Sequence, residues 1–263
     1  MSKFDFIIDN LVHSYSSIST YDTCNYAYKL SYIDAVEKRS NFFGEFGSAC
    51  HSVLQNFFQD KIDYFELSRE FKSEYEKTVI SNPPPYMINA REDYLNKGLL
   101  YFDSFNFDKS AYDISIIEEP ITIKLKDFSM VAKPDLVFKN KKTEKYSLVD
   151  FKTANAYNKN GKLNKKKFES YMKQFNLYVW ALYAGKSIEI NEIEVWFITC
   201  GKIEKVAVNI DEVQENFNWF CDIIEKIKNE DRWEANTKDE FFCTQLCSVY
   251  SNCKYWNTSS ASF

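Results

Sequence analysis

Glycine and proline are scarce in this chain, six and five among 263 residues. So little of either excludes collagen-like and Gly/Pro-rich disordered classes and argues for few long loops. Three of the five prolines fall together in Asn82-Pro83-Pro84-Pro85, the strongest breaker in the sequence. No apolar run approaches the roughly 18 to 20 residues that span a bilayer, and the N-terminus, MSKFDFIIDN, carries acids where a signal peptide needs positive charge. The expectation is a cytoplasmic protein without a membrane partner; lysine in place of arginine hints at the AT-rich genome of a bacterium or a phage. What is present is ordinary core material, 45% apolar and 17% aromatic against 27% charged, enough for one large domain or a core with a small appendage.

Hydrophobic spacing predicts helices over Ser14–Tyr32, Phe43–Gln59, Tyr64–Val79 and Tyr86–Phe105. After Asp113 the period shortens. Ile114–Leu125, Ser129–Phe138 and Tyr146–Thr153 are β-branched or aromatic runs joined by polar turns, and they read as three antiparallel strands. A helix over Phe168–Tyr183, strands over Ile193–Cys200 and Lys205–Val208, and a helix over Val213–Lys228 complete an α/β pattern with a mixed sheet.

A net charge of −5 speaks against a sequence-blind nucleic-acid coat. Locally the balance reverses. Lys139, Lys141, Lys142, Lys145, Lys152, Lys159, Lys162, Lys165, Lys166, Lys167 and Lys173 are answered only by Glu144, Asp150 and Glu169. Such a run either holds phosphate or is a solvated lysine face.

Two acids stand inside apolar strands, Asp135 in VAKPDLVF and Asp150 in SLVDFK. Burying a carboxylate is costly unless it is paired or bound to a metal. Alternation puts Asp150 and Lys152 on one face of their strand, and Asp135 can reach that face across the hairpin. Converging carboxylates beside an ammonium make an oxygen site for Mg2+ or Mn2+, which can activate water against a phosphodiester. An Asp–Lys ion pair is the plain alternative. His51, one of two histidines, lies on an upstream helix; Gln174 and Tyr178, four apart, share a helical face after the hairpin. Glu118 and Glu119 precede the hairpin and are read as outer acids, not ligands.

Seven cysteines in a chain without a secretory signal argue against a disulfide framework. Cys50, Cys200 and Cys221 sit singly in apolar surroundings and read as small buried hydrophobes. Cys243, Cys247 and Cys253 crowd the C-terminal end as C-x3-C-x5-C, and Cys24 stands alone near the other end.

Taken together, these segments resemble the RecB-like branch of the PD-(D/E)XK nuclease superfamily from Ser17 to Cys253, especially its iron–sulfur members such as the AddB nuclease domain and the CRISPR-associated and phage-encoded Fe–S exonucleases. Gly47 to His51 looks like the family's helical histidine motif, Pro134-Asp135 like its first acid, Asp150-Phe151-Lys152 like its acid-x-lysine, and Gln174 with Tyr178 like its Q-x3-Y. The resemblance implies a restriction-endonuclease-like α/β fold whose mixed central sheet, with an antiparallel three-strand meander, is flanked by helices. It implies a single nuclease domain over residues 1–263, with a helical Fe–S subdomain made by about 15–40 and 236–256. It implies a metal-dependent DNA exonuclease acting on single strands or ends, with Mg2+ or Mn2+ held by His51, Asp135, Asp150 and the carbonyl of Phe151. Asp135, Asp150, Lys152, Gln174 and Tyr178 would be its catalytic set. Cys24, Cys243, Cys247 and Cys253 would hold a [4Fe–4S] cluster, with zinc as the alternative metal. Protein partners in recombination, replication or CRISPR adaptation belong to the same picture. The alternative function is a non-catalytic DNA-binding or recruitment subunit that keeps the nuclease fold.

Overall fold

Apart from a two-residue strand at Val12–His13, the regular elements up to Ser104 are helical, and a run of strands begins at Tyr112, where the hydrophobic period changes. The computed structural model describes residues 5–158 and 160–257, so Lys159 of the basic run lies outside the described residues. In chain order come α1 (Asp5–Asp9), β1 (Val12–His13), α2 (Tyr15–Thr23), α3 (Asn25–Tyr28), α4 (Phe42–Phe58), α5 (Leu67–Thr78) and α6 (Ala90–Ser104). Strands β2 (Tyr112–Ile117), β3 (Ile121–Lys124), β4 (Ser129–Ala132), β5 (Leu136–Asn140) and β6 (Tyr146–Lys152) follow. Helix α7 (Lys165–Lys186), strands β7 (Ile190–Phe197) and β8 (Lys202–Ala207), α8 (Ile210–Lys228) and α9 (Lys254–Asn257) complete the chain. Two compact units divide it: one is residues 42–121 and 133–214, the other the described parts of 1–41, 122–132 and 215–263.

The first unit is built on a five-stranded sheet in the order β2-β5-β6-β7-β8, antiparallel except for the parallel β6–β7 pair. A parallel pair needs a long crossover, and α7 is that crossover. With a neighbour on either side, β6 is buried along five consecutive residues, Ser147 to Phe151. It therefore reads as an almost continuous apolar run, in which Asp150 is the exception. Helix α4 turns Phe46, Ala49, Val53, Leu54 and Phe57 into one aromatic-rich core with Phe71 of α5 and Phe151 and Trp196 of the sheet. Each such fully buried side chain contributes about 2 kcal/mol. Gly98 of α6 is dictated by this packing, because a Cβ there would stand 2.1 Å from the Phe71 ring.

The expected runs Ile114–Leu125 and Ser129–Phe138 are each two strands, not one. Glu118 takes φ +52 and Pro120 follows it, while Pro134 precedes β5. A left-handed residue and prolines without an N–H end a ladder. The meander is thus β2, β5 and β6, and β3 and β4 leave it to form a three-stranded sheet in the order β1-β4-β3.

In the second unit the expected helix Ser14–Tyr32 is broken. Ser14 caps α2 in a capping box with Ser17, but Cys24 is extended (φ −158, ψ 104), caps α3 by accepting from the Ala27 amide, and a π turn over Lys29–Ile33 follows. Tyr28 stacks on Trp233 at 6.2 Å, and Tyr21 meets both rings edge-on. From Phe242 onward regular structure shrinks to the turns Phe242–Leu246 and Tyr250–Asn252 and to α9. Among the lone cysteines, Cys50 is buried as expected, but Cys221 is half-buried and Cys200 exposed. Cys200 falls in the exposed β7–β8 turn, where Gly201 at φ +64 reverses the chain. No helix among the described residues is long and apolar enough to cross a membrane.

Candidate active site and cysteine pocket

The β5–β6 register pairs Leu136 with Val149. Continued by one residue, it sets Asp135 directly opposite Asp150, so two acids that look isolated in sequence face one another across the hairpin. Asp135 Oδ2 accepts from the Phe151 amide at 2.7 Å, which pins its carboxylate to β6. Helix α4 brings His51 to the same place: Nε2 lies 3.0 Å from the Phe151 carbonyl oxygen, and Nδ1 lies 3.1 Å from Glu118 Oε1 and 3.6 Å from Asp135 Oδ1. The expected His51, Asp135 and Phe151 carbonyl therefore do converge. Ligand atoms of His51, Glu118 and Asp135 all lie within 4.8 Å of one another.

Glu118 is the member that the sequence reading set aside. Its left-handed backbone turns the side chain inward at the end of β2, its amide donates to the Asp135 carbonyl at 3.0 Å, and Lys133 Nζ lies 2.5 Å from its second oxygen. The only trace of this in sequence is an acid pair ahead of Pro120. Glu119 instead points away, paired with Lys186 at 2.6 Å.

Asp150 stands outside the 4.8 Å group. Its Oδ2 lies 2.6 Å from Lys152 Nζ, an ion pair without hydrogen-bond alignment, so this sealed oxygen has charge compensation but no hydrogen bond. Lys152 donates to Gln174 Oε1 at 3.0 Å, and Gln174 Nε2 donates to the Tyr178 hydroxyl at 2.7 Å. The chain Asp150–Lys152–Gln174–Tyr178 joins the hairpin to α7, as the i, i+4 spacing on one helical face permits.

Carboxylates dominate the electrostatics of the site. Burial, reinforced by the Asp150 charge, raises the Asp135 carboxyl to about 7. Burial alone would lower the His51 imidazole, but the Asp135 charge, the hydrogen bond His51 donates to Glu118 and the Asp150 charge outweigh it and raise it to about 9. Near neutral pH the imidazolium sits where the carboxylates call for positive charge. One imidazole, two or three carboxylates and a backbone carbonyl, with one buried carboxylate oxygen lacking a hydrogen bond, form a donor set suited to a hard divalent ion.

The lysine run splits at this hairpin. Lys139, Lys141, Lys142 and Lys145 lie at or beside the β5–β6 turn, with Lys139 paired to Glu144 and Lys141 to Asp113. The length of β6, roughly 20 Å at 3.3 Å per residue, separates that turn from Lys152. Lys162, Lys165, Lys166, Lys167 and Lys173 lie at the other end, on the segment leaving β6 and on the first turns of α7.

In the second unit Cys24, Cys243, Cys247 and Cys253 line one pocket. Cys24 Sγ accepts from the amides of Ala27 and Asn236, both at 3.4 Å, and Cys243 Sγ donates to the Asn236 carbonyl at 3.6 Å. Burial, with the other three sulfurs nearby, raises the Cys247 thiol to about 11. Among the described residues no three of these sulfurs fall within 4.8 Å of one another.

No curated protein matches this sequence. A crystal structure of a proposed exonuclease from Eubacterium rectale matches the fold with a TM-score of 0.51 at 13% identity, covering 95% of this chain and 90% of that one. The profile of the PD-(D/E)XK nuclease superfamily matches residues 12–254, a span that contains the hairpin, α4, α7 and all seven cysteines. On that match the chain belongs to the PD-(D/E)XK nuclease superfamily.

Proposed function

We propose that the protein is a divalent-metal-dependent DNA exonuclease of the RecB-like branch, one nuclease domain whose two ends are stapled by an iron–sulfur cluster. The observation that carries this is the convergence of His51, Asp135 and the Phe151 carbonyl beside the Asp150–Lys152 pair. His51, Asp135, Asp150 and the Phe151 carbonyl would hold Mg2+ or Mn2+. Bound there, such an ion supplies an activated water and offsets charge developing on the scissile phosphate. Glu118 is best placed as a positioning residue: accepting the Nδ1–H of His51, it would orient the ring so that Nε2, once an ion displaces its proton, faces that ion. Lys152, held by Asp150 and Gln174, presents its ammonium to the phosphate, while Gln174 and Tyr178 keep it oriented. Lys162, Lys165 and Lys166, exposed at the site end of the sheet, attract the strand without reading its sequence.

For the staple, the family resemblance favours an iron–sulfur cluster, with zinc as the alternative, and Cys24, Cys243, Cys247 and Cys253 line one pocket that would hold it. The hydrogen bonds to Cys24 Sγ suit a thiolate ligand.

End-labelled single- and double-stranded oligonucleotides, incubated with Mn2+ or with EDTA after anaerobic purification, test the reading. Stepwise shortening that requires the metal is expected, from a brown preparation with iron and sulfide. Metal-independent binding without cleavage would instead establish the non-catalytic reading, and a colourless protein with one zinc would replace the cluster.

A further inference from the structure

Helix α7 carries more than the two residues that touch Lys152. Lys167, Tyr171, Gln174 and Tyr178 stand at i, i+4, i+7 and i+11, a single stripe along the helix. Tyr171 and Lys167 continue the row past the site toward the helix N-terminus. The Tyr171 ring lies 5.3 Å from the Lys152 ammonium, and its hydroxyl donates to the Ala154 carbonyl at 3.3 Å. Lys167 Nζ donates to the next carbonyl, that of Asn155, at 2.7 Å. Both carbonyls belong to the segment that leaves β6 immediately after Lys152, so the row follows the exit of the catalytic strand.

Lys167 differs from the lysines of this unit that pair with acids, and, unlike the exposed Lys202, which also donates to a carbonyl, that of Gly161, it is half-buried. Lys139, Lys141, Lys152, Lys186 and Lys205 each face a carboxylate, whereas the partner of Lys167 is a neutral carbonyl. Partial burial lowers its proton affinity. A half-buried ammonium without a counter-charge is unfavourable by itself, and it keeps two N–H donors beyond the one given to Asn155. An anion supplied from outside would satisfy both the charge and the donors.

We propose that Lys167, fixed by Asn155 and aligned by Tyr171, binds a backbone phosphate of the substrate strand beyond the scissile one and so sets the register in which the strand enters the site. The proposal rests on the nuclease reading above. Seven helical residues rise about 10 Å between Lys167 and Gln174, and a stacked strand rises about 3.4 Å per nucleotide. The contacted phosphate is therefore roughly two or three nucleotides from the scissile bond. Phosphate contacts of this kind fix position without selecting sequence.

Steady-state cleavage of an end-labelled oligothymidylate with Mn2+ tests this in the wild type, Lys167→Met and Lys145→Ala. Lys167→Met, which keeps the aliphatic stem, is expected to raise KM about tenfold with kcat within about twofold, and to reduce the slope of log(kcat/KM) against log salt by about one. Lys145→Ala, the same loss of charge at the far turn, is expected to change neither. Uncharged methylphosphonates placed one linkage at a time are expected to raise the wild-type KM at one linkage two or three from the cut, and to cost Lys167→Met nothing further there. Unchanged KM and salt slope in Lys167→Met, or a wild type indifferent to every neutral linkage, would overturn the inference while leaving the nuclease reading intact. A wild type that cleaves no DNA under any divalent metal would overturn that reading, and this inference with it.

Discussion

Asp135 and Asp150 meet because a strand register makes them meet; Cys24 and Cys243 meet because loops are tied together by side-chain hydrogen bonds. In the first unit the acids face each other across a ladder of paired backbone groups, with a five-stranded sheet and an aromatic core on hand to hold it. In the second, Asn236 reaches Cys24 through its amide and the Thr23 carbonyl through its side chain, Asn25 binds Glu230 and the Arg232 carbonyl, and the Arg39 amide donates to Ser248. Its core around the cysteines is small, with Cys24, Ala27, Leu30 and Val249 as its buried members. The chain's two histidines show the same division. His51 has an acceptor at each ring nitrogen, whereas His13 is buried with neither nitrogen hydrogen-bonded. On the proposed reading, a scaffold of regular structure would pre-form the charged site, whereas a scaffold of turns would depend on the group bound by its cysteines.

The largest effect expected is on catalysis alone. Asp150→Ala should lower kcat in Mn2+ on the order of 10⁴-fold, equivalent to about 5 kcal/mol, because on the proposed reading it removes a metal oxygen, and because it releases Lys152. The register and the aromatic core remain, so thermal unfolding should shift by only a few degrees. A variant that keeps a tenth of its turnover, with contaminating nuclease excluded, would remove Asp150 from the site.

Next comes an effect on stability confined to the other unit. Cys247→Ser should lose iron and lower Tm by about 6 to 12 °C, corresponding to about 3 kcal/mol. Removing the divalent ion with EDTA should abolish cleavage yet leave Tm within about 2 °C. Equal thermal shifts from the two treatments would erase the contrast between a pre-formed and a ligand-dependent site.

His13 should give an effect of similar size with a definite pH sign. Burial, then the nearby Lys228 charge, lowers its imidazole from the usual 6.5 to about 4. Between those values the unfolded chain takes up a proton that the folded chain does not, so stability falls as pH drops from about 6.5 toward 4, by up to about 3 kcal/mol. His13→Leu removes both the proton and the unpaired nitrogens. Denaturation at pH 7 and pH 5 should therefore show a smaller acid loss in the variant, and parallel losses would show that His13 carries no part of the acid limb.

Much of this was legible beforehand, for identifiable reasons. Buried acids in apolar strands signal themselves by their cost, so Asp135, Asp150 and the adjacent Lys152 stood out, whereas spacing put Gln174 and Tyr178 only on a common helical face and the family resemblance tied them to the site. Glu118 did not, because a left-handed residue at a strand end leaves no periodic mark, and its inward turn exists only once β2 stops. The division of the lysine run was hidden too: charges contiguous in sequence are parted by the length of one strand. Cys24 was read as part of a continuous helix because Tyr21, Tyr28 and Tyr32 keep helical spacing across the break that its own sulfur helps to cap.

A smaller effect would sharpen the role given to Glu118. Glu118→Gln keeps the shape but weakens the hold on His51 Nδ1, and should raise the Mn2+ concentration for half-maximal activity roughly 10- to 100-fold with little change in kcat at saturation. An unchanged Mn2+ titration curve would return Glu118 to the outer acids.

The smallest effects expected concern the cysteines outside the pocket, and they separate general thiol sensitivity from a dedicated staple. Cys50 is fully buried on α4 in the aromatic core, so Cys50→Ala removes a sulfur from close packing and should cost about 1 kcal/mol through lost contacts and a small cavity. Cys200 is exposed in the β7–β8 turn, so Cys200→Ala should stay within about 0.5 kcal/mol. Neither change should alter iron content, since neither sulfur lines the pocket of Cys24, Cys243, Cys247 and Cys253. Chemical denaturation read beside iron analysis on the same samples gives both quantities. If Cys50→Ala lost iron in proportion to stability, the cluster would depend on global folding, and the contrast between the two units would reduce to a difference in size.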